Sequence, residues 1–161
     1  MKGLVCMRSS GNIYNISLMA SVLEVAGAEG AANWAKGVAS NFARDPQSND
    51  TGQIRAVASG ECKVSIANTY YIGRLLASGK PEDKAVIDGI RIVFPNQSDR
   101  GTHVNISGAG VAASAPNKEN AIKFIEYLTS DEAQRIFAEG NNEYPVIGEA
   151  TGPISTLGSF T

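Results

Sequence analysis

Short apolar runs alternate with longer stretches of helical periodicity along the chain. Apolar runs at 3–7, 62–67 and 89–94 are bounded by polar residues, Gly or Pro, which predicts short buried strands. Elsewhere apolar residues recur every three or four positions. That spacing predicts helices over 13–26, 29–43, 51–59, 68–78, 116–128 and 131–139. Strands separated by crossover helices are typical of an α/β fold, in which helices flank the sheet.

Two further segments are less regular. Residues 101–113 are strand-like but interrupted by glycines, which in strands mark a bulge or a close backbone approach. The tail from Gly148 is rich in Gly, Ser and Thr, so we expect it to be loose. Gly27 should end the first helix and Gly60 the third. Gly79 to Pro81 should end the helix that reaches Ser78.

Composition narrows the class of protein. The 161 residues are 43% hydrophobic and 19% charged, enough for one domain with a core. The net charge of −2 and the lack of a basic stripe argue against a nucleic-acid partner. No apolar run approaches the roughly 20 residues of a membrane span. Met1 to Gly3 lead directly into the first strand without the apolar region of a signal peptide, which alone would indicate the cytoplasm.

Three tyrosines follow predicted strands. Tyr14 comes after the run at 3–7, and the adjacent Tyr70 and Tyr71 come after the run at 62–67. Ligands of α/β sheets bind beyond the carboxyl ends of the strands. Phenolates are hard ligands that suit a small trivalent ion such as Fe³⁺, and three of them would balance its charge. The competing interpretation is one core ring and one surface ring, which is the more common role of a Tyr-Tyr pair.

Several polar residues near the same strand ends could bind a negatively charged group. Arg74, four residues after Tyr70, could donate to a phenolate or hold an anion. Arg8, Ser9, Ser10 and Asn68 could together bind an oxyanion such as phosphate or sulfate, because hydroxyls and free N–H groups at a helix start favour anions. In that alternative the tyrosines would serve only in packing.

The remaining reactive residues give weaker signals. Cys6 and Cys62 lie in or beside two predicted strands, so they are either two buried thiols or a disulfide. The chain has one histidine, His103, which we expect to be structural or exposed, and a zinc site is not favoured. No Ser-His-Asp, Cys-His or paired-carboxylate arrangement stands out, and a single histidine limits enzyme mechanisms without excluding them, so an enzyme or a cytoplasmic effector-sensing domain stays a third alternative.

These motifs resemble those of a known family. The Asn-Thr-Tyr-Tyr motif at 68–71, with Tyr14 56 residues earlier, is specific, and further similar stretches are 5–15, 64–74, 101–111, 117–134 and 141–146. The chain resembles the C-terminal half of bacterial periplasmic ferric-iron-binding proteins, which are substrate-binding components of iron ABC transporters. It is most similar to the tyrosine-rich type of cyanobacteria and other marine bacteria.

The resemblance implies a fold and a site. The fold would be a lobe of a type II periplasmic binding protein. Residues 1–101 would form the iron-binding lobe, residues 102–147 a hinge-crossing strand and helices partly belonging to the first lobe, and 148–161 the loose tail. Fe³⁺ would be held by Tyr14, Tyr70 and Tyr71, with or without a bound anion or water, and Arg74 would lie close to the iron.

The resemblance also implies a setting. Such proteins have two lobes, are exported to the periplasm, deliver iron to a membrane permease and catalyse nothing. They are about twice as long as this chain, so we expect it to lack an N-terminal lobe that carries the signal peptide and a further Tyr or His ligand. Export favours a disulfide between Cys6 and Cys62. Apolar surface exposed without that lobe leads us to expect self-association.

Overall fold

A pair of short parallel strands lies at the centre of the fold. The computed structural model describes residues 2–47 and 49–161. Two residues lie outside this range: Met1, in the segment where we expected no signal peptide, and Ser48, in the polar loop before residue 51. Strand β1 (Val5–Cys6) pairs with β2 (Val64–Ser65), with Val5 opposite Val64 and Cys6 opposite Ser65. Val5 also forms a parallel bridge with Phe42. Because the two strands are parallel, the segments that follow them leave the sheet at the same edge.

Helices account for most of the remaining regular structure. They are α1 (Ile13–Ala39), α2 (Asp50–Ala58), α3 (Thr69–Ala77), α4 (Pro81–Asp88), α5 (Lys118–Leu128) and α6 (Asp131–Ile136). Helix α6 continues into a π-helical turn (Phe137–Asn141), and a 3-10 helix spans Gly152–Leu157. Crossover helices on a parallel pair confirm the predicted α/β class.

Asparagine side chains fix the starts of the first two helices. The backbone N–H of Tyr14 donates to Asn12 Oδ1 at 3.0 Å, and that of Gly52 donates to Asn49 Oδ1 at 3.0 Å. Each bond satisfies a donor that a helix N-terminus leaves free. Gly27 interrupts α1 with φ of 69° and ψ of 175°, which confirms the predicted break at this glycine.

The buried core consists of two clusters beside the strands. Cys6, Ala56 and Cys62 form the first, and Cys6 and Cys62 are joined by a disulfide. Ile54, Ile72 and Leu75 form the second, which packs α2 against α3. Since α3 begins the tyrosine motif, this packing fixes the motif relative to the sheet.

Two predicted strands are wrong. Residues 89–94 and 101–113 form no strand, because they make no ladder of backbone hydrogen bonds with another described segment; the single bond from the Thr102 N–H to the Thr161 carbonyl oxygen does not make one. The hinge-crossing strand expected after Thr102 is therefore an irregular segment here. Ile90 and Ile92 instead pack their side chains against the second core cluster, which explains the apolar character that resembled a strand.

One helix and one ordered segment were not expected. Helix α3 ends before Gly79 as predicted, and helix α4 follows at Pro81 with Glu82 and Asp83 in its first turn, a proline and acidic pattern typical of a helix start. In the tail, Ile154 is fully buried, and the Phe160 ring stacks on Phe94 at 4.9 Å between centroids. The tail therefore carries more structure than its composition indicates. Among the described residues, no helix is both long and apolar enough to cross a bilayer.

The disulfide should contribute strongly to stability. Replacing both Cys6 and Cys62 by Ala should lower the free energy of unfolding by about 2–5 kcal/mol, since the bond closes a long loop in the unfolded chain. Urea unfolding with and without a reductant measures this. The reductant should destabilise the wild type and leave the double variant unchanged; equal stability of the reduced and oxidised wild type would contradict the prediction.

Candidate metal centre

The Tyr14 and Tyr70 phenols meet although 56 residues separate them. Tyr14 lies in the first turn of α1, just beyond β1, and Tyr70 lies in the first turn of α3, just beyond β2. The Tyr70 hydroxyl donates to the Tyr14 hydroxyl at 3.0 Å. Their rings are edge-to-face, with centroids 6.2 Å apart. Two phenol oxygens at this separation can both be ligands of one small cation.

Tyr71 lies beside Tyr70 rather than on an opposite face. The two ring centroids are 4.2 Å apart with an interplanar angle of 30°, and both residues are half-buried. This closeness occurs in the first turn of α3, just beyond β2, where successive side chains are no longer held to the alternation of a strand. Tyr71 also packs on the second core cluster, so one ring serves both packing and the site.

An arginine covers the two adjacent rings. The guanidinium carbon of Arg74 lies 4.9 Å from the Tyr70 centroid and 5.5 Å from the Tyr71 centroid. Cations are attracted to aromatic faces at such distances, and more strongly to a ring that has become a phenolate. Arg74 is itself exposed, and it has the position relative to Tyr70 that the one-turn spacing predicts.

Asp50 organises the polar side of the site and was missed by the sequence analysis. Its side chain is 1% exposed. Oδ1 accepts from Arg8 Nη1 at 2.9 Å, while Oδ2 accepts from the Asn68 backbone N–H at 2.8 Å and from Asn68 Nδ2 at 2.9 Å. Arg8 Nη1 also lies 3.5 Å from the Tyr71 hydroxyl. The only signal in the sequence was an Asn-Asp pair before a helix, which usually indicates a cap.

The segment around residue 103 joins the same network. Asn105 Nδ2 donates to Asn68 Oδ1 at 2.8 Å, and His103 Nε2 lies 3.1 Å from Ser17 Oγ on α1. Asn68 occupies the N-cap position of α3 without a side-chain capping bond, because its amide binds Asp50 and Asn105 instead. An irregular segment is thus tied to both tyrosine-bearing helices.

Ser9 and Ser10 do not join the network. Both are exposed, and Ser9 Oγ accepts from the Gly11 backbone N–H at 3.2 Å within the turn before α1. Asn15 Nδ2 donates to the carbonyl oxygens of Arg8 and Ser9, at 3.0 Å in each case. The turn therefore positions Arg8, while its two hydroxyls face solvent.

Burial and neighbouring phenols change the acidity of the site. Burial, followed by the phenols of Tyr14 and Tyr71, raises the pKa of Tyr70 well above its ordinary value. For Arg8, burial lowers the pKa, but the hydrogen bonds to Asp50 and Tyr71 outweigh it and raise the pKa overall. Without a cation, then, Tyr70 is a neutral phenol and Arg8 a permanent positive charge.

The donor set of this centre is phenolic. Over residues 2–47 and 49–161, no group of three or more His, Cys, Asp or Glu side chains is placed to hold a metal ion. A soft or borderline ion such as Zn²⁺ would need His or Cys ligands, and Ca²⁺ or Mg²⁺ would need carboxylates. Phenol oxygens are ligands that a harder and more highly charged ion prefers.

Comparison with known proteins fits this geometry. Residues 2–153 match the family model described as bacterial extracellular solute-binding protein. The chain belongs to the bacterial extracellular solute-binding protein family. The iron uptake protein A1 of Synechocystis is 56% identical to this chain over 146 residues, a match that covers 91% of this chain and 41% of the relative.

Solved structures of solute-binding proteins share the fold. The Trichodesmium protein IdiA (FutA), described as a complex with iron and citrate ligands, is 57% identical with a TM-score of 0.93, over 99% of this chain and 51% of that one. The ferric binding protein of Campylobacter jejuni is 40% identical with a TM-score of 0.90, over 99% and 51%. The predicted resemblance and the predicted binding-protein fold are confirmed. The chain spans about half the length of these structures.

The raised pKa of Tyr70 predicts a late step in alkaline titration. Because its pKa in the folded protein exceeds the unfolded value of about 10, Tyr70 stabilises the fold fully below pH 10 and loses that contribution as pH rises toward the folded pKa. Burial also raises the pKa of Tyr144, so phenolate absorbance of the metal-free protein should show two late components.

Substitutions distinguish the two components. Tyr70→Phe should remove one late component and Tyr144→Phe the other. Tyr14→Phe should move only the Tyr70 component to lower pH, because the phenol that binds Tyr70 is lost. A Tyr70 component that stays at the same pH in Tyr14→Phe would show that the hydrogen bond does not govern the acidity of Tyr70.

Proposed function

We propose that this chain binds Fe³⁺ through the phenolate oxygens of Tyr14, Tyr70 and Tyr71. The observation that carries the proposal is the 3.0 Å contact between the Tyr14 and Tyr70 hydroxyls, with the Tyr71 ring 4.2 Å from the Tyr70 ring between centroids. Neutral phenols gain little from meeting at the ends of two strands. A trivalent ion bound between them would be stabilised by several phenolate oxygens at once. The iron is the cargo of the protein, and its ligands must lose their protons when it binds.

Charge balance supports iron over an oxyanion. Three phenolates neutralise Fe³⁺, and Arg74 stabilises the electron-rich rings of Tyr70 and Tyr71. The alternative oxyanion site needs Arg8 and Asn68 as donors, but both already donate to the Asp50 carboxylate. An added phosphate or sulfate would have to compete with that buried carboxylate for these donors, so we favour the metal.

The names of relatives support the wider role. The iron uptake protein of Synechocystis, the iron-bound Trichodesmium protein and the ferric binding protein of Campylobacter are named for iron uptake or iron binding. We propose that the protein to which this region belongs is an iron-carrying component of an ABC transporter in the periplasm, delivers Fe³⁺ to a permease and catalyses no reaction. The matched structures are about twice as long as this chain, which is long enough to include a second lobe. Such a lobe would complete the ligand shell across a hinge at 102–147.

Iron binding through phenolates should be visible. Ferric iron, supplied as a weak chelate to stop its hydrolysis, should give a phenolate-to-iron charge-transfer band in visible light. Tyr70→Phe/Tyr71→Phe should abolish the band, and Tyr14→Phe should weaken and shift it, because each removes phenolate donors. Titration followed by absorbance, with circular dichroism to verify folding, measures both effects.

An exposed tyrosine provides the matched control. Tyr127 lies on α5 and is 43% exposed, so Tyr127→Phe removes a phenol without touching the site. Its band should equal that of the wild type. A band that survives in the Tyr70/Tyr71 double variant, or that Tyr127→Phe removes, would refute phenolate ligation by the proposed residues.

The exposed apolar surface supports a second proposal about the isolated chain. Several large apolar side chains are exposed, with Ile106 at 78%, Val146 at 68% and Phe124 at 60%, and exposed apolar area can mark a site of association. We expect copies of the 161-residue chain to associate through such residues. Light scattering over a range of concentrations should show a mass that rises with concentration, and Phe124→Ser should reduce it; a constant monomer mass would contradict the expectation.

A further inference from the structure

Asp50 is a buried carboxylate whose acceptor capacity is satisfied by three donors. Arg8 supplies a full positive charge at 2.9 Å, and Asn68 supplies its backbone and side-chain N–H groups at 2.8 and 2.9 Å. Charge-assisted bonds of this kind are the strong ones in proteins. An arginine with two further N–H donors is also a set that would bind a phosphate or sulfate oxygen from solution.

The position of Asp50 between two helices strengthens this environment. Asp50 is the first residue of α2, so its carboxylate lies near the positive end of its own helix. The same carboxylate binds the backbone N–H of the residue that precedes α3, near the positive end of the helix that carries Tyr70 and Tyr71. The Asp50 carboxylate therefore lies near the N-termini of α2 and α3 and also pairs with Arg8.

We propose that Asp50 is a built-in anion of the tyrosine site: it occupies the donors of Arg8 and Asn68 that an external oxyanion would otherwise bind, and it holds Arg8 beside the Tyr71 hydroxyl. Asp50 is thus a positioning residue, acting on the metal through Arg8 and through the start of α3. The part of the inference that concerns iron rests on the proposed function. The part that concerns anions does not.

The structural consequence is that Arg8 carries no unbalanced charge beside the phenols. With Asp50 in place, the charge of Arg8 is balanced inside the protein, and its Nη1 is held 3.5 Å from the Tyr71 hydroxyl. Without the carboxylate, Arg8 would be a poorly solvated, unpaired charge that attracts an anion. The site would then depend on the anion content of the solution.

The test is anion binding by the metal-free protein, with inorganic phosphate as the probe. Asp50→Asn keeps the shape of the side chain and removes its charge. Phosphate at on the order of 10 mM should raise the melting temperature of Asp50→Asn and leave the wild type unchanged. Adding Arg8→Gln to Asp50→Asn should abolish the response.

Asp83→Asn is the matched control. Asp83 is another buried carboxylate paired with an arginine, Arg55, away from the tyrosines. This variant should lose stability without gaining a phosphate response.

Iron binding provides an independent measurement. Asp50→Asn should weaken Fe³⁺ binding by about 10- to 100-fold, as loss of a residue that orients ligands typically does. Phosphate should restore part of that affinity, and Asp83→Asn should show neither effect. If the wild type gives no iron band at all, the proposed function fails, while the phosphate and stability results still decide the role of Asp50.

Two results would overturn the inference. One is a wild type that binds phosphate as tightly as Asp50→Asn and loses the binding with Arg8→Gln, since the donors would then be free for external anions. The other result concerns folding. If Asp50→Asn does not fold, the inference predicts that the double variant Arg8→Gln/Asp50→Asn folds better, because it leaves no unpaired charge. A double variant no more stable than the single one would show that Asp50 does not neutralise Arg8.

Discussion

The parallel pairing of β1 and β2 is the constraint on which the site depends. Only two residues of each strand pair, yet the pairing fixes the direction in which both segments leave the sheet. The turn to α1 and the turn to α3 therefore begin at one edge, and each first turn carries its tyrosines to the same place. The disulfide between Cys6 and Cys62 secures the same two segments covalently. Residues far apart in sequence are thereby held within hydrogen-bond distance.

A second layer of the structure manages charge. Asp50 balances Arg8 and binds the start of α3, while Arg74 covers the rings of Tyr70 and Tyr71. In the metal-free protein the Tyr70 phenol keeps its proton, because burial and contact with neighbouring phenols raise its pKa. A trivalent cation reverses this balance by attracting negative oxygens more strongly than the protons do. Uptake and release of such an ion would therefore be coupled to pH.

Local sequence patterns predicted where Tyr14 and Tyr70 lie, because each follows a strand-to-helix junction that its own neighbouring residues determine. Asn12 caps α1, and strand-to-helix junctions precede both tyrosine positions, so the convergence of Tyr14 and Tyr70 followed from the general layout of parallel sheets. Asp50 could not be found in this way, since its partners lie 42 and 18 residues away and depend on the packing of α2 against α3. The strands expected at 89–94 and 101–113 failed for a related reason. An apolar segment becomes a strand only where another segment pairs with it, and pairing is not a property of the segment alone.

The most direct test of the central claim is resonance Raman spectroscopy of the iron-loaded chain, excited within its visible absorption band. If Tyr14, Tyr70 and Tyr71 are the ligands, the spectrum should be dominated by ring vibrations of iron-bound tyrosinate. Those vibrations should be lost with the Tyr70→Phe/Tyr71→Phe substitutions and kept with Tyr127→Phe. An iron-loaded protein whose spectrum contains no tyrosinate vibrations would contradict the claim.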